Sequence, residues 1–143
     1  MSIASIGVRA AVASINTALW DLRTTSAVQC SILQLEFFSA TATAQSIGFG
    51  RPASLTGSGP TTAIPVRHNP GDAAAVTTVA VAWTTVPNSA PAQFAERWNG
   101  AATIGVGVVW TFPRGFVVGV SGSAILWAIT ATVAADVNVT IDE

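Results

Sequence analysis

The sequence has no lysine and no tyrosine, one cysteine, one histidine and few charges of either sign. Charged residues make up 9% of the 143. All six basic residues are arginines (Arg9, Arg23, Arg51, Arg67, Arg97 and Arg114), and the formal net charge is −1. A phosphate backbone is neutralised by a basic face, and this chain has too few cations to build one, so no nucleic-acid partner is expected. A single cysteine excludes an internal disulfide. Cys30 lies in the apolar-rich run VQCSILQLEFF and reads as a buried, inert thiol. No uninterrupted apolar run approaches the roughly 20 residues of a membrane helix. The opening MSIASIGVRAAVASINTALW lacks a basic start and is interrupted by Ser, Gly and Arg, so neither a secretory signal nor a membrane span is read there.

The residues of catalysis are equally sparse. His68, in VRHNPGD, is the only histidine. A hydrolytic triad would need it beside an activated serine, yet no G-x-S-x-G elbow is present and GVSGS has the wrong order. One histidine and scattered acids make a poor metal-ligand set, and HNPGD reads more simply as a Pro-Gly turn with Asn and Asp bonding local backbone. Asp21, Glu36, Asp72, Glu96, Asp136, Asp142 and Glu143 form no carboxylate motif. The expectation is no catalytic residue, no cofactor and no metal: not an enzyme.

Apolar residues make up 50% of the chain. Two readings of so few charges stand side by side: a soluble domain coated in Ser and Thr, or a subunit whose surface is covered by other copies. The pattern within the apolar half is clearer. In GVGVVWTFPRG and its approach, Ile104, Val106, Val108, Trp110 and Phe112 share one parity, and Gly105, Gly107, Val109 and Thr111 the other. That is a strand with glycine on one face and not a phosphate cradle, because Trp110 stands where a dinucleotide fingerprint needs its third glycine. Pro113-Arg114-Gly115 is expected to end this strand.

Ala135, Val137, Val139 and Ile141 alternate with Asp136, Asn138 and Thr140, a half-exposed strand. Ile125, Trp127, Ile129 and Val133 share a parity, as do Val79, Val81 and Trp83. Residues 30–38 carry apolar weight on both faces, Leu33, Leu35 and Phe37 against Ile32 and Phe38. Shorter strands are read at 3–9, 94–98 and 116–120, while SINTALWDLRT is left as strand or irregular. Strand signals spaced about 8–12 residues apart predict an all-β fold, an antiparallel β-sandwich of jelly-roll type, as a single domain over 1–143. Residues 1–15 are read as an N-terminal arm. Residues 48–75, rich in Gly and Pro, are read as one long irregular loop across an end of the sandwich.

Of the five tryptophans, Trp83, Trp110 and Trp127 fall within strand patterns and are expected in the core, with Trp98 at a turn. An exposed tryptophan would instead offer a sugar-stacking platform.

LWDLRTT, LEFFSATATAQSIGFGRPAS, VAWTTVP, GVVWTFPRGFVV and the closing DVNVTIDE resemble small virion proteins of tailed bacteriophages, most nearly the head decoration or cement proteins. The resemblance runs from about residue 8 to the end. It implies a jelly-roll structural protein, a homotrimer bound to the major capsid protein or other virion proteins. Its place would be the capsid surface of the virion, after synthesis in the host cytoplasm. The interface residues expected on that reading are Ile3, Ile6 and Val8 of the arm, Ile32 and Phe38 on a strand face about the trimer axis, and Arg51 and Arg67 of the loop. A host-surface or glycan-binding module of a head or tail fibre, or another tail or neck component, is the alternative.

Overall fold

Residues 2–12, 14–52, 61–83, 90–91 and 93–143 are described by the computed structural model. Among them the secondary structure is all strand: β1 (Ile3–Ala11), β2 (Thr17–Arg23), β3 (Cys30–Ser39), β4 (Gln45–Gly50), β5 (Thr61–Ala63), β6 (Val66–Arg67), β7 (Thr78–Val81), β8 (Glu96–Gly100), β9 (Gly107–Val118), β10 (Ser123–Ala128) and β11 (Ala134–Asp142). Two antiparallel sheets face one another. Sheet A runs β6-β1-β11-β3-β9 and sheet B β5-β7-β2-β10-β4-β8.

The order has a simple origin. Strands pair from the two ends of the chain inward, β1 with β11, β2 with β10, β3 with β9 and β4 with β8. This four-rung ribbon rolls up so that β11 also meets β3 and β10 also meets β4. That winding is a jelly roll. The segment between β4 and β8 adds β5 and β7 to one sheet and β6 to the other, all on the flank away from β8 and β9.

Period-two alternation builds the core. Ala135, Val137, Val139 and Ile141 of β11 are buried between the sheets, while Asp136 and Asn138 point outward. Across from them lie Leu19, Trp20 and Leu22 of β2, Ile47 and Phe49 of β4, and Ala124 and Leu126 of β10. At the β8–β9 flank the core is aromatic: Phe49 meets Trp110, Phe112 and Phe116, and Phe37 meets Trp98 at 5.6 Å between ring centroids.

Several sequence expectations are corrected by single-residue irregularities. β3 carries a bulge between Ile32 and Gln34 against β9, so Ile32 turns inward to join Leu35 and Phe37. Ile32 and Phe38 therefore do not share a face. Pro113-Arg114-Gly115 does not end the strand. The chain bulges outward there, with Gly115 at φ 71°, and β9 resumes at Phe116 opposite Ile32. Residues 116–118 thus belong to β9 and not to a separate strand. Ala82 sits at φ 56° just past β7 and turns Trp83 to the far side of sheet B, away from Val79 and Val81. Trp98 lies within β8 and not at a turn.

Two larger expectations also change. The N-terminal segment is not an arm, because Ile3–Ala11 pairs with β11 along nine residues and sits inside sheet A. Residues 48–75 are not one irregular loop. Gly48–Gly50 close the buried strand β4, and β5 and β6 follow within the segment; residues 53–60 lie outside the described set.

The outer face of sheet B is covered by the chain itself. Ala18, Ile125 and Trp127 lie there, packed beneath Trp83, Ala90 and Phe94. Gly48 has no side chain because the Phe94 ring occupies its place, and Ala95 N–H donates to the Phe49 carbonyl at 2.9 Å. The outer face of sheet A has no such cover among the described residues.

Gly107 marks a second close approach, where a Cβ would overlap the Phe37 carbonyl oxygen and the Phe38 ring. Because the nearest obstacle is backbone, Gly107→Ala is expected to lower stability by about 2 kcal/mol. Urea denaturation measures it, and an unchanged midpoint would contradict the packing described.

Candidate functional site

The outer face of sheet A presents the only large uncovered sheet surface among the described residues. Across it runs a polar row. Glu36 accepts hydrogen bonds from Gln34 Nε2 at 2.5 Å and from Asn138 Nδ2 at 3.1 Å. With Ser5, Gly7, Thr140 and Val66 these residues line a shallow hollow of about 450 Å³. At one end, Arg9 and Asp136 face each other on paired strands in a two-pronged ion pair of 2.5 and 2.8 Å. The hydrogen bonds and the opposite charges hold the guanidinium above and the carboxyl below their ordinary pKa values. Both side chains are more than half exposed, so the pair fixes register more than it adds stability.

At the other end, β6 brings His68 over β1. His68 N–H donates to the Ile3 carbonyl, and its Nε2 lies 2.8 Å from Ser5 Oγ. The pair is exposed. The backbone of residue 5 is held between β11 and β6 on both sides, which leaves no pair of free amides aimed beside the hydroxyl. Asp72 is engaged by Asn69 Nδ2 at 3.1 Å, and the Asn69 carboxamide oxygen accepts from Gly71 N–H, the local turn read from HNPGD. His68, Asn69 and Asp72 line a hollow of about 560 Å³ with Ile3 and Asp142. Among the described residues no group of three or more His, Cys, Asp or Glu is placed to hold a metal.

A third polar group is buried. Asp21 is fully enclosed on β2, accepting from Ser123 Oγ and from Arg23 Nε at 2.5 Å. Burial pushes its carboxyl above the usual range, while Ser123 and Arg23 pull it back. Cys30 is likewise enclosed, and burial pushes its thiol up to about 11.

The expected interface residues do not form one patch. Ile32 is fully buried in the subunit's own core and is unavailable to another chain. Ile6 and Val8 are half-buried and pack inward from β1. Ile3 is exposed on the outer row of sheet A, near Arg67 and His68 of the β6 edge. Phe38 is half-buried on the outer face, beside Gly107 at the opposite end of the sheet. Arg51 is fixed on the far flank, its guanidinium 4.0 Å above the Phe116 ring and donating to the Val117 carbonyl at 2.6 Å.

The exposed large apolar residues of sheet A sit instead at its two opposite flanks. Ile104, Val109, Val117 and Val120 belong to β9 and its approaches; Ile3, Ile64 and Val66 belong to the β6 side. Val109 and Val117 were legible in principle, since they occupy the parity opposite Trp110 and Val118. All five tryptophans are buried or half-buried.

No family model, curated protein or solved structure matches this chain.

Two measurements check this account. The raised Asp21 pKa means that its protonated form is favoured in the fold. Its contribution is therefore fully present below the unfolded value near 3.8 and declines as pH climbs through the higher folded value. The stability of the wild type relative to Asp21→Asn should fall as the pH rises above about 4; a flat or rising difference in denaturant titrations would contradict it. Cys30 should react with an aromatic disulfide reagent at pH 8 only as fast as the protein unfolds; rapid labelling of the native protein would contradict its burial.

Proposed function

We propose that the protein is a non-enzymatic structural subunit of a tailed-bacteriophage virion, a homotrimer that decorates and stabilises the capsid exterior against the major capsid protein. One observation carries the reading. A chain with 9% charged residues leaves aliphatic side chains such as Ile104, Val66 and Val120 in water at two flanks of a rigid sandwich, where a lone subunit gains nothing from them. The resemblance of LEFFSATATAQSIGFGRPAS and GVVWTFPRGFVV to head decoration proteins supports the same reading. A cement protein needs no acid, base or metal. It needs repeated contacts of modest strength, which multivalency turns into firm attachment.

The alternative, a glycan-binding module of a head or tail fibre, is favoured by one feature, the hollow of hydroxyl, amide and carboxylate groups around Ser5, Gln34, Glu36, Asn138 and Thr140. It is disfavoured because no tryptophan is fully exposed, two being buried and three half-buried, whereas sugar rings stack on exposed aromatic faces.

Native mass spectrometry of the purified protein is expected to give a trimer, and labelling of purified particles is expected to place it on the head in fixed copy number. A monomer, or location at the tail tip with measurable sugar affinity, would overturn the decoration reading.

A further inference from the structure

The oligomer reading above is the premise here, and the structure points to the contact that builds it. We propose that the β9 flank of one copy docks on the β6 flank of the next, with Arg114 of the first entering the hollow formed by His68, Asp72 and Asp142 of the second.

The projecting part is the outward bulge of β9. Between Thr111, paired to Gln34, and Phe116, paired to Ile32, the chain makes a loop of Phe112, Pro113, Arg114 and Gly115. Arg114 is exposed in this loop and makes no hydrogen bond or ion pair with any described residue. The bulge and Pro113 also block straightforward strand addition along β9, so a partner must engage this edge through side chains. Arg51 and Arg97 are exposed nearby, and Glu96 is the one carboxylate lining the same region, so this flank is net positive.

The receiving part is of opposite sign. The hollow of about 560 Å³ is walled by Asp72 and Asp142, with His68, Asn69 and Ile3 completing it. Asp142 Oδ1 is withdrawn from solvent yet accepts no hydrogen bond. Glu143 adjoins, its carboxylate holding the Val76 and Thr77 amides at 2.9 and 3.1 Å. Arg67 is the one arginine on β6. A guanidinium suits this place because its planar fork bonds carboxylates at fixed geometry.

Each charged centre has an aliphatic surround. Val109 and Val117 stand exposed on β9 on either side of the projection, and Ile3 lines the hollow, with exposed Val66 on the adjoining β6. The two sites cannot meet within one subunit, because β6 and β9 are opposite edges of sheet A, about 19 Å apart across four strand spacings. A second copy of this chain brings them together. The contact is head-to-tail, and its repetition at every copy closes a ring when the rotation permits.

The test uses the full chain with Arg114→Glu and Asp72→Asn, each checked for the wild-type melting curve, and native mass spectrometry across a concentration series. Each variant alone is expected to assemble at least tenfold more weakly than wild type, and 0.5 M NaCl should weaken the wild type in the same direction. Mixed together, the two variants should form a one-to-one pair that grows no further, since one retains the hollow and the other the projection. A wild type that is monomeric throughout overturns both this contact and the trimer. A wild-type oligomer that neither substitution weakens overturns the contact and leaves the trimer standing. Loss of particle binding with the oligomer intact also overturns it, assigning Arg114 to the shell instead.

Discussion

Each strand in this fold has one face to give to the interior, and the structure is organised around keeping that face continuous. The alternation in β11 is unbroken, and it sits at the centre of sheet A between β1 and β3. Its neighbours fit themselves to it by inserting residues. β3 slips by one near Ile32, and β2 slips by one opposite Leu126 and Trp127, which brings Leu19 as well as Trp20 into the core. A bulge costs a ladder hydrogen bond but returns a large side chain to dry surroundings, and burying a leucine or isoleucine is worth about 2 kcal/mol. Packing therefore takes precedence over regular pairing.

The two outer faces differ as a result. Sheet B carries Ala18, Ile125 and Trp127 outward and must hide them, and Gly48 makes room for Phe94 to do so. Sheet A carries Ser5, Asn138, Thr140 and Asp136 outward and can remain wet. The molecule consequently has one self-sealed side and one open side, and most of its exposed aliphatic residues, though not Ile15 and Val76, border the open one.

The strands themselves were largely readable from period two. The alternation of Ala135 to Ile141, the face shared by Val108, Trp110 and Phe112, and the turn at HNPGD appear as the pattern predicts, but Ile104, read onto the same face, is exposed ahead of the strand. The failures have a common cause. Parity counting assumes no inserted residue, so it placed Ile32 outward with Phe38 and joined Trp83 to Val79. It also treats Pro-Arg-Gly as a stop, whereas an edge strand such as β9 tolerates proline where its amide faces no partner. The segment from Ile3 looked like an arm because isoleucine, serine and glycine gave no signal that residues near 140 would pair with it. Long-range pairing leaves no local trace, so the hollow shared by His68, Asp72 and Asp142, which draws on segments more than 60 residues apart, was invisible as a unit.

The position of β11 has a consequence for how the chain comes to be folded. The middle of sheet A is the latest in sequence of that sheet's five strands, so β1 and β3 have no common neighbour until residues 134–142 exist. A ribosome adding residues from the first onward cannot let this sheet settle piecemeal. The early strands must wait, with their oily sides unprotected, for β11 to arrive. Topologies joined across the whole chain are slow to form and prone to clump while waiting. Sheet A can therefore close only once β11 has been made.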